Sequence, residues 1–190
     1  NAQAVTKIAN EYGPNTQEIR IVRCNNLTTI DLSIITKLAE VYIMGNTVLQ
    51  SVDLSNLQTL DGGIYIEQCP LLTAMPATQL QKIGQSAYGG GYGVFINNTG
   101  ITSINFHSLT VLGGSIDIQR NNALTSVNFP GVAQHGFANS LPIVISNNFA
   151  LSNISFPVLQ AAKDLKMEYN HSLTTINFPL LATTKDLGIS

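Results

Sequence analysis

Residues 116–129, which read IDIQRNNALTSVNF, contain the repeating unit of this chain. The unit is an apolar-x-apolar triplet, an Asn five residues after the triplet begins, and a second apolar cluster that begins eight residues after it. Successive triplets along the chain start 22, 23, 30, 22, 27, 22 and 22 residues apart. The eight triplets begin at Ile19, Val41, Ile64, Val94, Ile116, Ile143, Leu165 and Leu187. A period this regular indicates a repeat protein.

The repeat predicts short strands that stack on one another. Alternating apolar residues rich in Ile and Val favour a strand with every second side chain facing inward. One turn cannot bury its own apolar side, but stacked turns share a continuous core and pair their strands in parallel. We therefore predict a mainly β, right-handed parallel β-solenoid of about eight 22-residue turns over residues 18–190.

The two ends of the solenoid differ in sequence. Ala4, Ile8 and Tyr12 are four residues apart, which predicts an amphipathic helix within residues 2–12. We expect residues 1–17 to form an N-terminal cap over the first turn, since solenoids need their ends covered. The chain stops inside the eighth strand without a similar segment, so we expect a solenoid truncated at its C-terminal end.

The polar position after each triplet carries a family resemblance. It is occupied by Asn46, Asn121, Asn148 and Asn170. We expect these residues to form a buried, structural ladder in which each Asn hydrogen-bonds to backbone groups of the next turn. The resulting pattern is similar to the L-x-L-x-x-N/C-x-L core of leucine-rich repeats, and the longer consensus LTSINFPxLxxLGG resembles the receptor L-domain group. That group includes the ligand-binding L domains of growth-factor and insulin receptors and fungal GPI-anchored cell-wall proteins, and related repeats occur in bacterial surface proteins. The resemblance implies an extracellular or cell-surface protein with a recognition or adhesion role.

Two cysteines occupy the same repeat position as the asparagines. Cys24 and Cys69 lie two turns apart with Asn46 between them, a separation of about 9.6 Å. A disulfide needs Cα atoms closer than about 7 Å. We predict two unpaired, buried thiols that replace ladder asparagines, with a redox pair as the alternative.

Composition and motif searches favour a protein that is not an enzyme. Charged residues make up 11% of the chain and the net charge is −2, so no strong field attracts nucleic acid. The apolar runs are too short to span a membrane. The three histidines lie in different turns, and no catalytic, metal or cofactor motif is found. Asp31 and Asp53 share an outward column that ends at Pro76. We predict that both carboxylates are solvated; the alternative is that they share a proton or bind a cation.

The outward residues of the first strands form the candidate binding surface. Three adjacent aromatics occur there beside a longer loop at 84–93, and a second longer loop follows at 131–141. Insertions on one edge of a solenoid commonly shape its binding face. The predicted ligand-binding residues are Arg20, Tyr42, Tyr65, Tyr88, Tyr92, Phe95 and Asp117. Such a surface is typical of protein or glycan recognition; the alternative is cross-strand stacking that only stabilises the sheet.

Four N-glycosylation sequons occur, at Asn26, Asn97, Asn153 and Asn170. Asn170 is a ladder residue and is predicted to be buried. Asn26 and Asn153 fall on outward positions and are the better acceptors, with Asn97 as the third candidate. The alternative is that a chain rich in Asn, Ser and Thr contains sequons by chance.

The sequence predicts a recognition or adhesion module, with two alternatives. One is a structural component of a cell wall, matrix or filament that assembles through its solenoid ends. The other is an ice-binding protein, because Thr and Ser recur in columns on one face. One column consists of Thr28, Thr73, Thr102, Thr125, Ser152 and Thr174. The neighbouring column consists of Thr29, Ser51, Ser103, Ser126 and Thr175.

Overall fold

The computed structural model describes residues 18–84, 91–135 and 142–190. In these ranges the chain is a parallel β-solenoid whose coils have three faces, and it contains no helix. The predicted cap helix falls in residues 1–17, outside the described residues. None of the described residues forms a helix long and apolar enough to cross a membrane.

The triplets form one sheet of eight parallel strands, called here the front sheet. Its strands in spatial order are β1 (Glu18–Val22), β4 (Glu40–Met44), β7 (Ile64–Cys69), β9 (Tyr92–Thr99), β12 (Ser115–Gln119), β14 (Ile143–Ser146), β16 (Ala161–Met167) and β18 (Thr183–Ile189). Seven complete coils lie between β1 and β18, so the predicted count of about eight turns is one too many. The eighth triplet supplies only the strand β18.

The second and third faces consist of shorter parallel strands. The second face contains β2 (Thr29–Asp31), β5 (Ser51–Asp53), β10 (Ser103–Asn105), β13 (Ser126–Asn128), β15 (Asn153–Ser155) and β17 (Thr175–Asn177). The third face contains β3 (Lys37–Leu38), β6 (Thr59–Leu60), β8 (Lys82–Ile83) and β11 (Val111–Leu112). Neighbouring coils pair without a shift at most positions, so equivalent residues form columns along the solenoid.

The core is a set of apolar columns inside the three faces. Most residues inside the front sheet are Ile and Val, most inside the third face are Leu, and phenylalanines fill part of the second face. Phe106, Phe129 and Phe156 are almost fully buried and lie over one another, with ring centroids 5.3 and 4.8 Å apart. One coil alone leaves these side chains half in water, so burial depends on stacking.

Each coil turns sharply at the C-terminal edge of the front sheet. The residue at that corner has a left-handed backbone, with φ between 52° and 69°, in all seven coils. The corner residues are Arg23, Gly45, Gln68, Asn98, Arg120, Asn147 and Tyr169. Six of the seven are not glycine, although this conformation costs an L-residue about 1–2 kcal/mol. The residue that follows each corner is the ladder residue, which the turn directs toward the neighbouring coils.

Candidate functional site

The outward residues at the centre of the front sheet form one continuous stack. The register pairs Arg20 with Tyr42, Tyr42 with Tyr65, and Tyr65 with Phe95. The two tyrosine rings are 4.6 Å apart and inclined by 7°, and Tyr65 and Phe95 are 4.4 Å apart and inclined by 3°. The guanidinium of Arg20 lies 4.2 Å from the centre of the Tyr42 ring. We call these four side chains the front stack.

The tyrosine hydroxyls of the front stack are held by the residue two positions along the same strand. Tyr65 donates a hydrogen bond of 2.7 Å to the Glu67 carboxylate, and Tyr42 donates one of 3.5 Å to the sulfur of Met44. Burial raises the pKa of Tyr65 well above its usual range, and the hydrogen bond and charge of Glu67 raise it further. The phenol therefore stays neutral and keeps a fixed orientation.

Phe95 is less accessible than the sequence predicts. Its side chain is 8% exposed, so the expectation of an exposed Phe95 is wrong. Tyr92, three residues earlier on β9, covers it with a tilted ring whose centroid lies 4.8 Å from that of Phe95. Tyr42, Tyr65 and Tyr92 are half-buried. Tyr88, also predicted at this surface, lies outside the described residues, as do most of the two longer loops.

Asp117 continues the column beyond Phe95. It pairs in register with Phe95 on one side and Val144 on the other, and it is half-buried. Burial raises the pKa of Asp117; a hydrogen bond from Gln119 and the charge of Arg120 oppose this shift. The bond from the Gln119 amide to Oδ1 is 2.6 Å long. The structure thus brings together Arg20, Tyr42, Tyr65, Tyr92, Phe95 and Asp117 on one sheet.

The predicted asparagine ladder is present in the interior. The side-chain amide oxygen of each ladder Asn accepts a hydrogen bond from a backbone N–H of the preceding coil. Its amide nitrogen donates a hydrogen bond to a backbone carbonyl of that same coil. Asn148, for example, accepts from Asn121 N at 2.9 Å and donates to Ile118 O at 2.9 Å. Asn170 repeats both bonds one coil later, to Asn148 N and Ile145 O. The ladder residues are therefore structural.

The ladder includes one residue that the sequence pattern missed. Thr99 pairs with Cys69, and both its N–H and its hydroxyl donate to the amide oxygen of Asn121, at 3.0 and 2.7 Å. The coil that contains Thr99 is one residue shorter before its next apolar cluster, which obscured the alignment. All seven coils thus contribute a residue to this column: Cys24, Asn46, Cys69, Thr99, Asn121, Asn148 and Asn170.

Both cysteines have free thiols, as predicted. Cys69 is buried, and burial raises the pKa of its thiol. Cys24 is exposed, so the prediction of burial is wrong for this residue. Among the described residues Cys24 belongs to the first coil, and no described coil covers it; its N–H still donates to Asn46 at 2.8 Å.

The sequon asparagines differ in accessibility. Asn26 is exposed at a corner and Asn153 is half-buried on β15. Asn97 is 7% exposed and Asn170 is 4% exposed. The expected burial of Asn170 is confirmed, whereas Asn97 is a poor candidate because the folded sheet leaves its side chain little room.

The hydroxyl columns have a structural use. Thr125, Ser152 and Thr174 donate to the carbonyl at the equivalent position of the preceding coil, at 2.9, 3.1 and 3.1 Å. Repetition of Thr and Ser in the column that contains Thr125 therefore links coils to each other, which gives that column a structural role.

Asp31 and Asp53 are engaged locally rather than with each other. Asp31 accepts hydrogen bonds from the N–H and hydroxyl of Ser33, and these bonds lower its pKa. Asp53 accepts the N–H of Ser55 at 2.8 Å. The alternative of a shared, raised pKa is wrong for Asp31. The part of the chain that the structure describes holds no group of three side chains suited to a metal ion.

The seventh coil presents an open recess of about 300 Å³. Leu173, Ile176 and Ile189 line it, and Ile189 is 54% exposed. A further coil of the same chain or another molecule would bury these side chains equally well. The recess does not by itself favour assembly through the solenoid ends.

His135 is a buried residue that sequence reasoning left unassigned. It pairs with Leu112 and so continues the inner column of Leu38, Leu60 and Ile83 on the third face. Its side chain is buried, and among the described residues neither ring nitrogen has a partner within hydrogen-bonding geometry. Burial lowers the pKa of His135 to about 4, and the polar backbone of Gly114, which lies near the ring, opposes only part of this shift.

Comparisons with models of known protein families, with curated proteins and with solved structures found no match for this chain. The resemblance to leucine-rich repeats and receptor L domains therefore stays a prediction made from the repeat. The case for a function depends on the geometry of the front sheet.

Proposed function

We propose that this solenoid is an extracellular or cell-surface recognition module that binds a protein partner through the front sheet. The observation that carries the proposal is the front stack, a row of Arg, Tyr, Tyr and Phe held in register on a rigid sheet. Tyr and Arg are enriched among the residues that dominate protein interfaces. The proposal assigns no catalysis to the chain.

The preorganisation of the front stack supports this role. Tyr65 is fixed on both ring faces by its neighbours and at its hydroxyl by Glu67. A partner that contacts these side chains loses little free energy to ordering them, because they are already ordered. Side chains of this kind give large contact areas at low entropic cost.

The same stacking makes protein a better ligand than sugar. A sugar ring binds to the flat face of an aromatic ring. In the front stack the faces of Tyr65 are covered by Tyr42 and Phe95, and Arg20 covers the other face of Tyr42. Ring edges and polar groups remain for a ligand, and these suit a protein surface.

The test is a binding screen of the purified chain against an array of cell-surface ectodomains and, in parallel, a glycan array. For a protein hit, the double variant Tyr42→Ala/Tyr65→Ala should lower the affinity by roughly 30-fold or more, the effect expected for loss of interface hot spots. Phe149→Ala is the matched control, since Phe149 is 49% exposed and lies outside the front sheet.

A loss of affinity in the double alanine variant must be shown to come from lost contact with the partner and not from lost ring stacking within the sheet. Tyr42→Phe/Tyr65→Phe keeps the rings and removes only the hydroxyls, and thermal unfolding of every variant reports whether the fold persists. If a partner binds all front-sheet variants as tightly as the parent chain, or if only glycans bind, the proposal is wrong. The front stack would then serve the stability of the sheet alone.

A further inference from the structure

We propose that the Asp117 carboxylate, beside Phe95 and Tyr92, is the anchor for a cationic side chain of the partner, an arginine or a lysine. This inference rests on the proposed function and adds the chemistry of the partner. The first observation is position: Asp117 is adjacent in register to Phe95, the last ring of the front stack.

The second observation is the state of the carboxylate. Asp117 is half-buried and accepts a hydrogen bond from the Gln119 amide. Among the described residues Asp117 forms no salt bridge, and the charge of Arg120 only partly offsets the effect of burial on its pKa. A partly desolvated carboxylate without an ion-pair partner is stabilised by an incoming cation.

The third observation is the aromatic surroundings. Asp117 pairs in register with Phe95, and Tyr92 on the same strand pairs with Ser115, two residues before Asp117. Burial raises the pKa of Tyr92, and the negative charge of Asp117 raises it further. Tyr92 lies tilted by 60° against Phe95, outside the parallel stack. An aromatic ring beside a carboxylate suits a guanidinium or ammonium group, which gains from both.

The molecule shows the same chemistry at the other end of the front stack. There the guanidinium of Arg20 lies over the Tyr42 ring and 3.8 Å from the Glu18 carboxylate. One end of the aromatic row is thus occupied by a cation of this chain, held by a ring and a carboxylate. The Asp117 end has the ring and the carboxylate, and the partner supplies the cation.

The test uses small probes, so it does not require the partner. N-acetyl-arginine amide, N-acetyl-lysine amide and the neutral isostere N-acetyl-citrulline amide are titrated into the labelled chain, and NMR shifts of the Gln119 side-chain amide and the Tyr92 ring are followed. We expect saturable shifts with the cationic probes and binding of citrulline weaker by about fivefold or more. The arginine and lysine arms show which cation is preferred.

Asp117→Asn is the decisive variant, because it keeps the shape and removes the charge. It should abolish the preference for the cationic probes. Asp164→Asn is the control: Asp164 lies on β16 of the same sheet and pairs with Asp186 rather than with an aromatic residue, so this variant should leave the preference unchanged. Equal shifts with citrulline, or an undiminished preference in Asp117→Asn, would overturn the inference. A partner whose binding needs Tyr42 and Tyr65 but not the Asp117 charge would leave the proposed function intact and refute this inference alone.

Discussion

At the scale of single residues, most unexpected features come from side chains whose surroundings are set by other coils. His135 occupies a column otherwise filled by Leu and Ile, and nothing in its local sequence shows that it faces inward. Phe95 is covered by Tyr92, a contact that the strand alternation does not reveal. Left-handed corners at Gln68 and Tyr169 are likewise invisible in the sequence, since only Gly45, Asn98 and Asn147 are of residue types that this conformation favours.

Buried His135 should make stability depend on pH. Its folded-state pKa is lowered from 6.5 to about 4, so between these values the unfolded chain binds the proton and the folded chain does not. The free energy of unfolding therefore has its full value above pH 6.5. It decreases by about 3 kcal/mol as the pH is lowered from 6.5 to 4. Urea unfolding at a series of pH values measures this slope.

His135→Leu should remove that part of the pH dependence, because leucine suits the column of Leu60 and Leu112. His107→Leu is the control, since His107 is exposed. An unchanged slope in His135→Leu would show that the imidazole is not buried as described.

At the scale of elements, the sequence predicted the front-sheet strands well, because their alternation and period are strong signals. β4 contains the triplet that starts at Val41, and β12 contains the one that starts at Ile116. The third-face strands are only two residues long, as in β8, and their positions depend on the coils around them. The period predicted which residues of the front stack lie in one column. It did not predict the distances and angles between their rings.

The polar ladder should carry much of the energy that joins one coil to the next. Asn148→Ala removes the acceptor for the N–H of Asn121 and the donor to the carbonyl of Ile118. The buried N–H of Asn121 then lacks its partner and the carbonyl of Ile118 loses this bond, at a cost of about 1–3 kcal/mol in the free energy of unfolding. Chemical denaturation measures the loss.

Asn122→Ala is the matched control for the ladder, because Asn122 is exposed next to a ladder residue. It should change the free energy of unfolding by less than about 0.5 kcal/mol. Similar small effects for both variants would show that the ladder bonds are not formed in solution.

At the scale of the whole molecule, the coils lie over one another in register. That register places Arg20, Tyr42, Tyr65, Phe95 and Asp117 in one row and makes them a candidate surface. The sequence predicted this arrangement through its period. It did not specify a ligand, because most repeated residues build the scaffold and the same scaffold supports many functions.

Distances between spin labels along one outward column of the second face test the register most directly. With Cys24→Ser and Cys69→Ala as background, pairs of cysteines are placed at Thr29 and, in turn, Ser126, Asn153 and Thr175, which belong to the fifth, sixth and seventh coils. Stacked coils predict backbone separations of about 19, 24 and 29 Å, a constant rise of about 4.8 Å per coil. Separations that do not increase by a constant step from coil to coil would contradict the stacked solenoid and, with it, the front stack and the proposed binding surface.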